Sequence, residues 1–162
     1  MELTISDARA MVTAQKFWAG TDFMWVPNGA RLPGYTFRAA LAMPDGRQPE
    51  SLFVSAFFKH SAIAGASDKL YLNLFYKSHL ILGWHDNSPS RHINRVGIGE
   101  VLYHATVDHP HRHRVCDESV EGYAEPLPRT PPDQFWSGFL RECNIENGPS
   151  WVPPPPTQPD LL

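Results

Sequence analysis

The ten residues VDHPHRHRVC, positions 107–116, carry His109, His111 and His113 together with Arg112 and Arg114. Side chains alternate between faces along a strand, so His111 and His113 would lie together, close enough to grip one ion or one phosphate. Arg112 and Arg114 would then point to the opposite face. Pro110 cannot donate to a strand ladder, so pairing should start only after it, and His109 falls outside the pair. Three chemistries compete for this cluster. The first is a metal site, because neutral imidazole is a common ligand for zinc and other transition metals. A catalytic zinc takes three protein ligands, and Asp86, His92 or His104 could supply the third. The second is metal-free cleavage of RNA. One histidine removes the ribose 2′-hydroxyl proton, another protonates the leaving oxygen, and arginine stabilises the charge on phosphorus. The third is a polar edge strand whose histidines only form hydrogen bonds. The chain has neither an H-E-x-x-H motif nor paired-cysteine spacing, either of which would argue strongly for a metal. The cluster also lacks an obvious carboxylate. The metal-free reading is therefore preferred, with no metal and no cofactor expected.

Two further segments join the cluster. In WHDNSPSRH, residues 84–92, His85, Asp86, Asn87, Arg91 and His92 crowd the end of a hydrophobic strand, a place where functional groups are often mounted. Asp, Asn, Ser and Pro are also ordinary turn formers. In ESVEGYAEPL, residues 118–127, Tyr123 could donate a proton or stack on a base, and Glu121 or Glu125 could orient a histidine. Gly122 there would kink an edge strand. The catalytic set expected is His111 and His113 as acid and base, assisted by Asp86 or Tyr123. Arg112, Arg114, His92 and His109 would contact the substrate.

These residues must be positioned by a folded scaffold, and the composition provides one. The chain has 162 residues, 42% of them hydrophobic and 12% aromatic, which suits one globular domain rather than a disordered chain. A net charge of −3 argues against non-specific coating of nucleic acid. Charge is uneven, however: Arg91, Arg95, Arg112 and Arg114 precede an acidic run of Asp117, Glu118, Glu121 and Glu125. No signal peptide and no membrane span are expected, and Cys116 and Cys143 read as buried thiols of a cytoplasmic protein.

Ser6 is expected to cap a first helix bearing Ala8, Met11, Val12 and Trp18 on one face. A period of two then sets in. YTFRAALAM places Tyr35, Phe37, Ala39 and Leu41 on one face. SLFVSAFFKH does so for Leu52, Val54, Ala56 and Phe58, KLYLNLFY for Leu70, Leu72, Leu74 and Tyr76, and HLILGW for Leu80, Leu82 and Trp84. PDGRQPE is a turn. GEVLYHATV, HRHRVC and GYAEPL would complete the sheet, whereas HDNSPSRHINRVG is too polar for a strand. Phe53, Phe57, Phe58, Phe75 and Trp84 read as core rather than as a base-stacking platform. A last helix follows, capped by Thr130 with Pro131 in its first turn and Asp133 completing the box, and burying Phe135, Trp136, Phe139, Leu140 and Cys143. The expected fold is α+β: a four- to six-stranded, mainly antiparallel sheet flanked by an N-terminal and a C-terminal helix. Residues 1–148 would form this single domain, and 149–162 a proline-rich tail outside the packed core.

The order of LTISDARAMVTAQK, HPHRHRVCDESVEGYAEPL and FWSGFLRECNIENGP resembles an uncharacterised bacterial family of small proteins common on mobile elements. The matching residues are Pro110, His111, His113, Glu121, Gly122, Ala124, Pro126, Leu127, Phe139, Cys143, Asn144, Ile145 and Pro149. The N-P-D-G segment of that pattern is replaced here by GEVLYHATVD. The succession Asp86, Asn87, Pro89, then His92 and the later histidines, is more weakly similar to the TumE-type toxins of toxin–antitoxin systems. That resemblance implies a growth-inhibiting toxin or defence-related ribonuclease acting on RNA, held in check by a protein partner encoded beside it. A different class remains open. A non-enzymatic inhibitor or antitoxin would use the acidic run 117–125 to cap a basic partner surface.

Overall fold

The computed structural model describes residues 2–87 and 91–156. Pro89, in the toxin-like segment, and residues 157–162 of the expected tail lie outside them. The fold is α+β, with a mainly antiparallel sheet and one helix near each end. In chain order the elements are α1 (Ile5–Thr13), β1 (Lys16–Trp18), β2 (Val26–Pro27), β3 (Gly34–Ala42), β4 (Leu52–Lys59), β5 (Lys69–Tyr76) and β6 (His79–Asp86). They continue with β7 (His92–Ile93), β8 (Thr106–Val107), β9 (His111–Arg114), β10 (Tyr123–Pro126), α2 (Pro132–Glu142) and β11 (Ile145–Glu146). The main sheet runs β10-β9-β6-β5-β4-β3-β1-β11, with β2 also paired to β3. Its nine strands exceed the four to six expected, because short pieces such as β1, β2 and β11 carry too few residues to show a period. Among the described residues only the β1–β11 pairing is parallel.

The core follows the alternation read from the sequence. Phe37, Ala39 and Leu41, then Leu52, Val54, Ala56 and Phe58, then Leu70, Leu72 and Leu74 all turn to one face, where Ala8 of α1 and Phe135, Trp136 and Phe139 of α2 meet them. Lys77 and Ser78, both at positive φ, close the two-residue turn between β5 and β6. That twist suits a tight hairpin. A register shift follows in β6, so that Ile81 and Leu82 are both buried.

Several local expectations need correction. Thr4 rather than Ser6 caps α1, accepting a hydrogen bond from Asp7 N at 3.0 Å, and Trp18 belongs to β1. Pro131 occupies the cap position of α2 and no side chain caps it, so Thr130 does not play that part. GEVLYHATV contributes only Thr106 and Val107 in strand form. These pair with His92 and Ile93, within a segment expected to contain no strand, as a separate two-stranded ribbon. Asn94 docks this excursion on the edge of the sheet: its buried amide donates to Ala124 O at 2.8 Å and accepts from Ala124 N at 2.7 Å, as a neighbouring strand would.

The proline-rich end is also more firmly placed than expected. Trp151 packs against the core, edge-on to Phe23 and Trp25. Trp136 Nε1 donates to Pro149 O at 2.8 Å, and Trp25 Nε1 to Val152 O at 2.8 Å. Two indoles gain partners for their N–H groups in this way, which a packed tryptophan needs. Lys16 is wholly buried at the end of α1. Burial pushes its pKa down to about 8, and its ammonium donates to the carbonyls of Met11, Val12 and Ala14. Cys116 and Cys143 are buried free thiols, as expected.

Candidate metal centre

Strand register assembles the histidines. β9 pairs with β6 so that His111 faces His85 and His113 faces Gly83. β6 pairs with β5 so that His85 faces Tyr71 and Gly83 faces Asn73. Directly opposed residues share a face. His85, His111 and His113 therefore meet on the face of the sheet turned away from both helices. One ligand nitrogen from each lies within 4.8 Å of the other two. Among the described residues this is the only group of three or more His, Cys, Asp or Glu side chains arranged to hold an ion. His92, carried on the excursion, approaches from the β10 side, with ring centroids 4.7 Å from His113 and 5.9 Å from His111.

Hydrogen bonds orient the rings. Imidazole N–H groups donate from His85 Nε2 to Asn73 Oδ1 at 2.7 Å and from His111 Nδ1 to Asp108 O at 3.2 Å. A third runs from His92 Nε2 to Gly122 O at 2.9 Å. Each such donor fixes the tautomer and leaves the other ring nitrogen as a lone pair. For His111 that lone pair is on Nε2, which sits 3.1 Å from His113 Nε2. Two ligands of a tetrahedral zinc at about 2.0–2.1 Å are separated by about 3.3 Å, close to that spacing.

The rings are also kept neutral. Burial, and then the neighbouring imidazoles, push His113 down to about 2 and His85 down to about 3. Burial lowers His111 as well, and its ring is only 2% exposed. Neutral imidazole is the metal-ligating form.

Gly83 makes room for this arrangement. A Cβ there would lie 3.1 Å from both Asn73 Oδ1 and His85 Nε2. Two results are expected from zinc competition titrations. Gly83→Val, which forces the two groups apart, and Asn73→Leu, which removes the acceptor that orients His85, should each weaken binding roughly 10- to 100-fold. The fold should survive in both.

The other expected site residues fall elsewhere. Arg112 and Arg114 point to the opposite face, as strand alternation requires, and do not join the histidines as phosphate ligands. Arg112 pairs with Glu125 and, at 2.6 Å, with Glu142; Arg114 pairs with Glu125 at 2.9 Å and Glu100 at 3.1 Å. Burial alone would raise Glu125, but hydrogen bonds from both arginines hold its carboxyl below the usual range. Tyr123 lies on that face too, buried beneath Arg114, whose guanidinium is 4.7 Å from the ring centre. Asp86 and His109 stand together at the end of β6, 3.9 Å apart, with Arg129 at 3.4 Å from the carboxylate. Asp86 and Arg129 line a cleft of about 390 Å³ beside the start of α2, and neither Asp86 nor His109 belongs to the three-histidine group. His104, at positive φ, stacks on Tyr103.

His85 is the member of the three-histidine group that sequence reasoning missed. It was one of several polar residues in a turn-like segment, and only the β6–β9 register sets it opposite His111. The acidic run is engaged within the chain. Asp117 binds Arg9, Glu118 accepts from Gly97 N and Ile98 N, Glu121 accepts from Leu80 N, and Glu125 holds the two arginines. No family model, no curated protein and no solved structure matches the chain. None of its helices in the described residues is long and apolar enough to cross a membrane.

Proposed function

We propose that this chain is a metal-dependent hydrolase whose divalent cation is held by His85, His111 and His113, with His92 at the rim. The observation that carries the reading is the set of neutral rings, two of them locked by Asn73 and by the Asp108 carbonyl, with ligand nitrogens within 4.8 Å of one another. Three imidazoles without a carboxylate suit zinc better than the two-histidine, one-carboxylate set of non-haem iron oxygenases. A bound divalent cation would supply Lewis acidity towards a phosphoryl or carbonyl oxygen. The protein's own part is to hold the ligands neutral and oriented.

Metal-free RNA cleavage by His111 and His113 has less support. Burial lowers the pKa of both rings, against the imidazolium that would have to protonate a leaving oxygen, and Arg112 and Arg114 are occupied by glutamates on the other face. A capping inhibitor is less well served too, because the acidic run it would use makes internal contacts. The toxin-like resemblance adds a reading of the biological role, growth inhibition by hydrolysis of a cellular target.

The test is hydrolysis of a panel of chromogenic phosphodiesters and carboxylic esters by the protein as purified, after chelation, and after return of Zn²⁺, Mn²⁺ or Co²⁺. Activity should be lost with chelator, restored by at least one ion, and absent from His85→Ala. Turnover that persists unchanged in chelator and in His85→Ala would overturn the proposal.

A further inference from the structure

We infer that the uncovered face of the sheet beside the centre binds single-stranded nucleic acid, an inference that rests on the hydrolase reading for its chemistry but not for its binding. Cross-strand pairing lays out one continuous row, Thr36–Phe57–Tyr71–His85–His111, from β3 to β9. Within it, ring centroids are 5.7 Å apart for Phe57 and Tyr71 and 4.6 Å apart for Tyr71 and His85. A parallel stack of Phe53 and Phe75, 5.2 Å apart, lies towards the other end of the same face. Phe53, Phe57 and Phe75 were expected in the core, and this corrects that expectation. Alternation that buries Leu52, Val54, Ala56 and Phe58 turns Phe53 and Phe57 outward. These outward rings are half-buried and belong to no part of the core cluster.

The charged side chains carried by the paired rows of this face are all cationic. Arg38 lies over Phe53, 3.5 Å from its centre, and Lys69 over Tyr71 at 5.9 Å. Lys59 stands opposite Lys69 in the register. The paired rows Thr36–Phe57–Tyr71–His85–His111, Arg38–Ser55–Asn73–Gly83–His113 and Ala40–Phe53–Phe75–Leu80 contain no carboxylate, although the whole chain carries a net charge of −3. Half-open rings interleaved with cations and free of acids select a ligand that is both planar and anionic. Single strands offer stackable bases on an anionic backbone, whereas a duplex hides its base faces. The four inter-strand steps from β3 to β9 span roughly 19 Å at about 4.8 Å each. That length accommodates a strand of several nucleotides rather than one. A strand lying along the row would pass over Phe57 and Tyr71, flanked by Lys59 and Lys69 of the neighbouring row, to the metal ligands.

The test is fluorescence anisotropy with the protein as purified, using labelled oligouridylate and oligothymidylate of roughly twelve nucleotides. The matching duplex, and uridine monophosphate as a competitor, complete the set. Strand integrity is read on a gel from the same samples. Single strands should bind, more weakly as salt rises, and better than the duplex, with the monophosphate a poor competitor. Lys59→Glu with Lys69→Glu, surface changes that leave the core intact, should weaken binding about tenfold or more, as should Phe57→Ala. No binding to any single strand, duplex binding of equal strength, or affinity unchanged in the double-lysine variant would overturn the inference and leave the metal centre standing. Displacement by monophosphate as effective as by the oligomer would overturn the strand and point to a nucleotide. Binding without hydrolysis of bound strand would support this face and count against the hydrolase reading alone.

Discussion

Replacing His111 and His113 together by alanine should abolish metal binding and hydrolysis while leaving the apoprotein as stable as the parent, or slightly more so. Both side chains lie on the face that the helices do not cover, and their rings are buried by one another, by His85 and by His92. Removing them leaves no partnered charge behind. Loss of two of three ligands should lower zinc affinity by well over the roughly 10- to 100-fold typical of an outer partner. The residues between and after them should behave in the opposite way. Arg112 and Arg114 are the hub of a network that ties β9 to β10, to α2 through Glu142 and to the excursion through Glu100. Trp84 Nε1 joins it by donating to Glu142 at 2.6 Å. Arg112→Ala leaves Glu125 to Arg114 and Glu142 to Trp84 Nε1 alone and should cost about 1–3 kcal/mol, with zinc affinity nearly unchanged. Urea denaturation and zinc titration of both variants separate the two effects. A strand that alternates chemistry and structure must show both, one on each face.

Trp136→Ala should be the most destabilising single change. The indole is 2% exposed and makes ring contacts with Trp18, Phe23, Phe139 and Trp151. It joins α2, β1, the Phe23–Trp25 loop and the 149–156 segment, whose Pro149 carbonyl takes its N–H. Truncation removes the ring from a packed cluster and leaves that carbonyl without its donor, at a cost of about 3–5 kcal/mol. For a domain of this size each kcal/mol lowers Tm by roughly 2–4 °C. A drop of roughly 6–20 °C by differential scanning calorimetry is the expected result. A much smaller drop would mean that the end of the chain does not share the core.

The parts of this fold legible in the sequence are those set by a repeating period. β3, β4 and β5 announce themselves because one face must be apolar over eight or nine residues, and α2 because Phe135, Trp136 and Phe139 recur at helical spacing. The His111–His113 pair was legible for the same reason, as was the separation of Arg112 and Arg114 from it. What was not legible depends on register between distant strands. His85 and His113 are 28 residues apart, and nothing local states that β6 and β9 are neighbours. Their union, and the space that Gly83 leaves between Asn73 and His85, exist only in the paired sheet. The outward phenylalanines escape a reading by residue type, which assigns a large apolar side chain to the core, although the alternation itself places Phe53 and Phe57 on the other face. Asp86, His109 and Tyr123 were drawn into the site by closeness in sequence. The pleat sends Asp86 and Tyr123 to the face of the helices, and His109 stands with Asp86 at the end of β6.

Three imidazoles from two adjacent strands are proposed to hold one ion. X-ray absorption at the zinc edge, on zinc-loaded wild-type protein and on His85→Ala, tests it most directly. Imidazole nitrogens are expected at about 2.0–2.1 Å in the wild type, with the imidazole signal reduced or the zinc lost in His85→Ala. A wild-type protein that retains no zinc, or a spectrum identical in the two proteins, would contradict it.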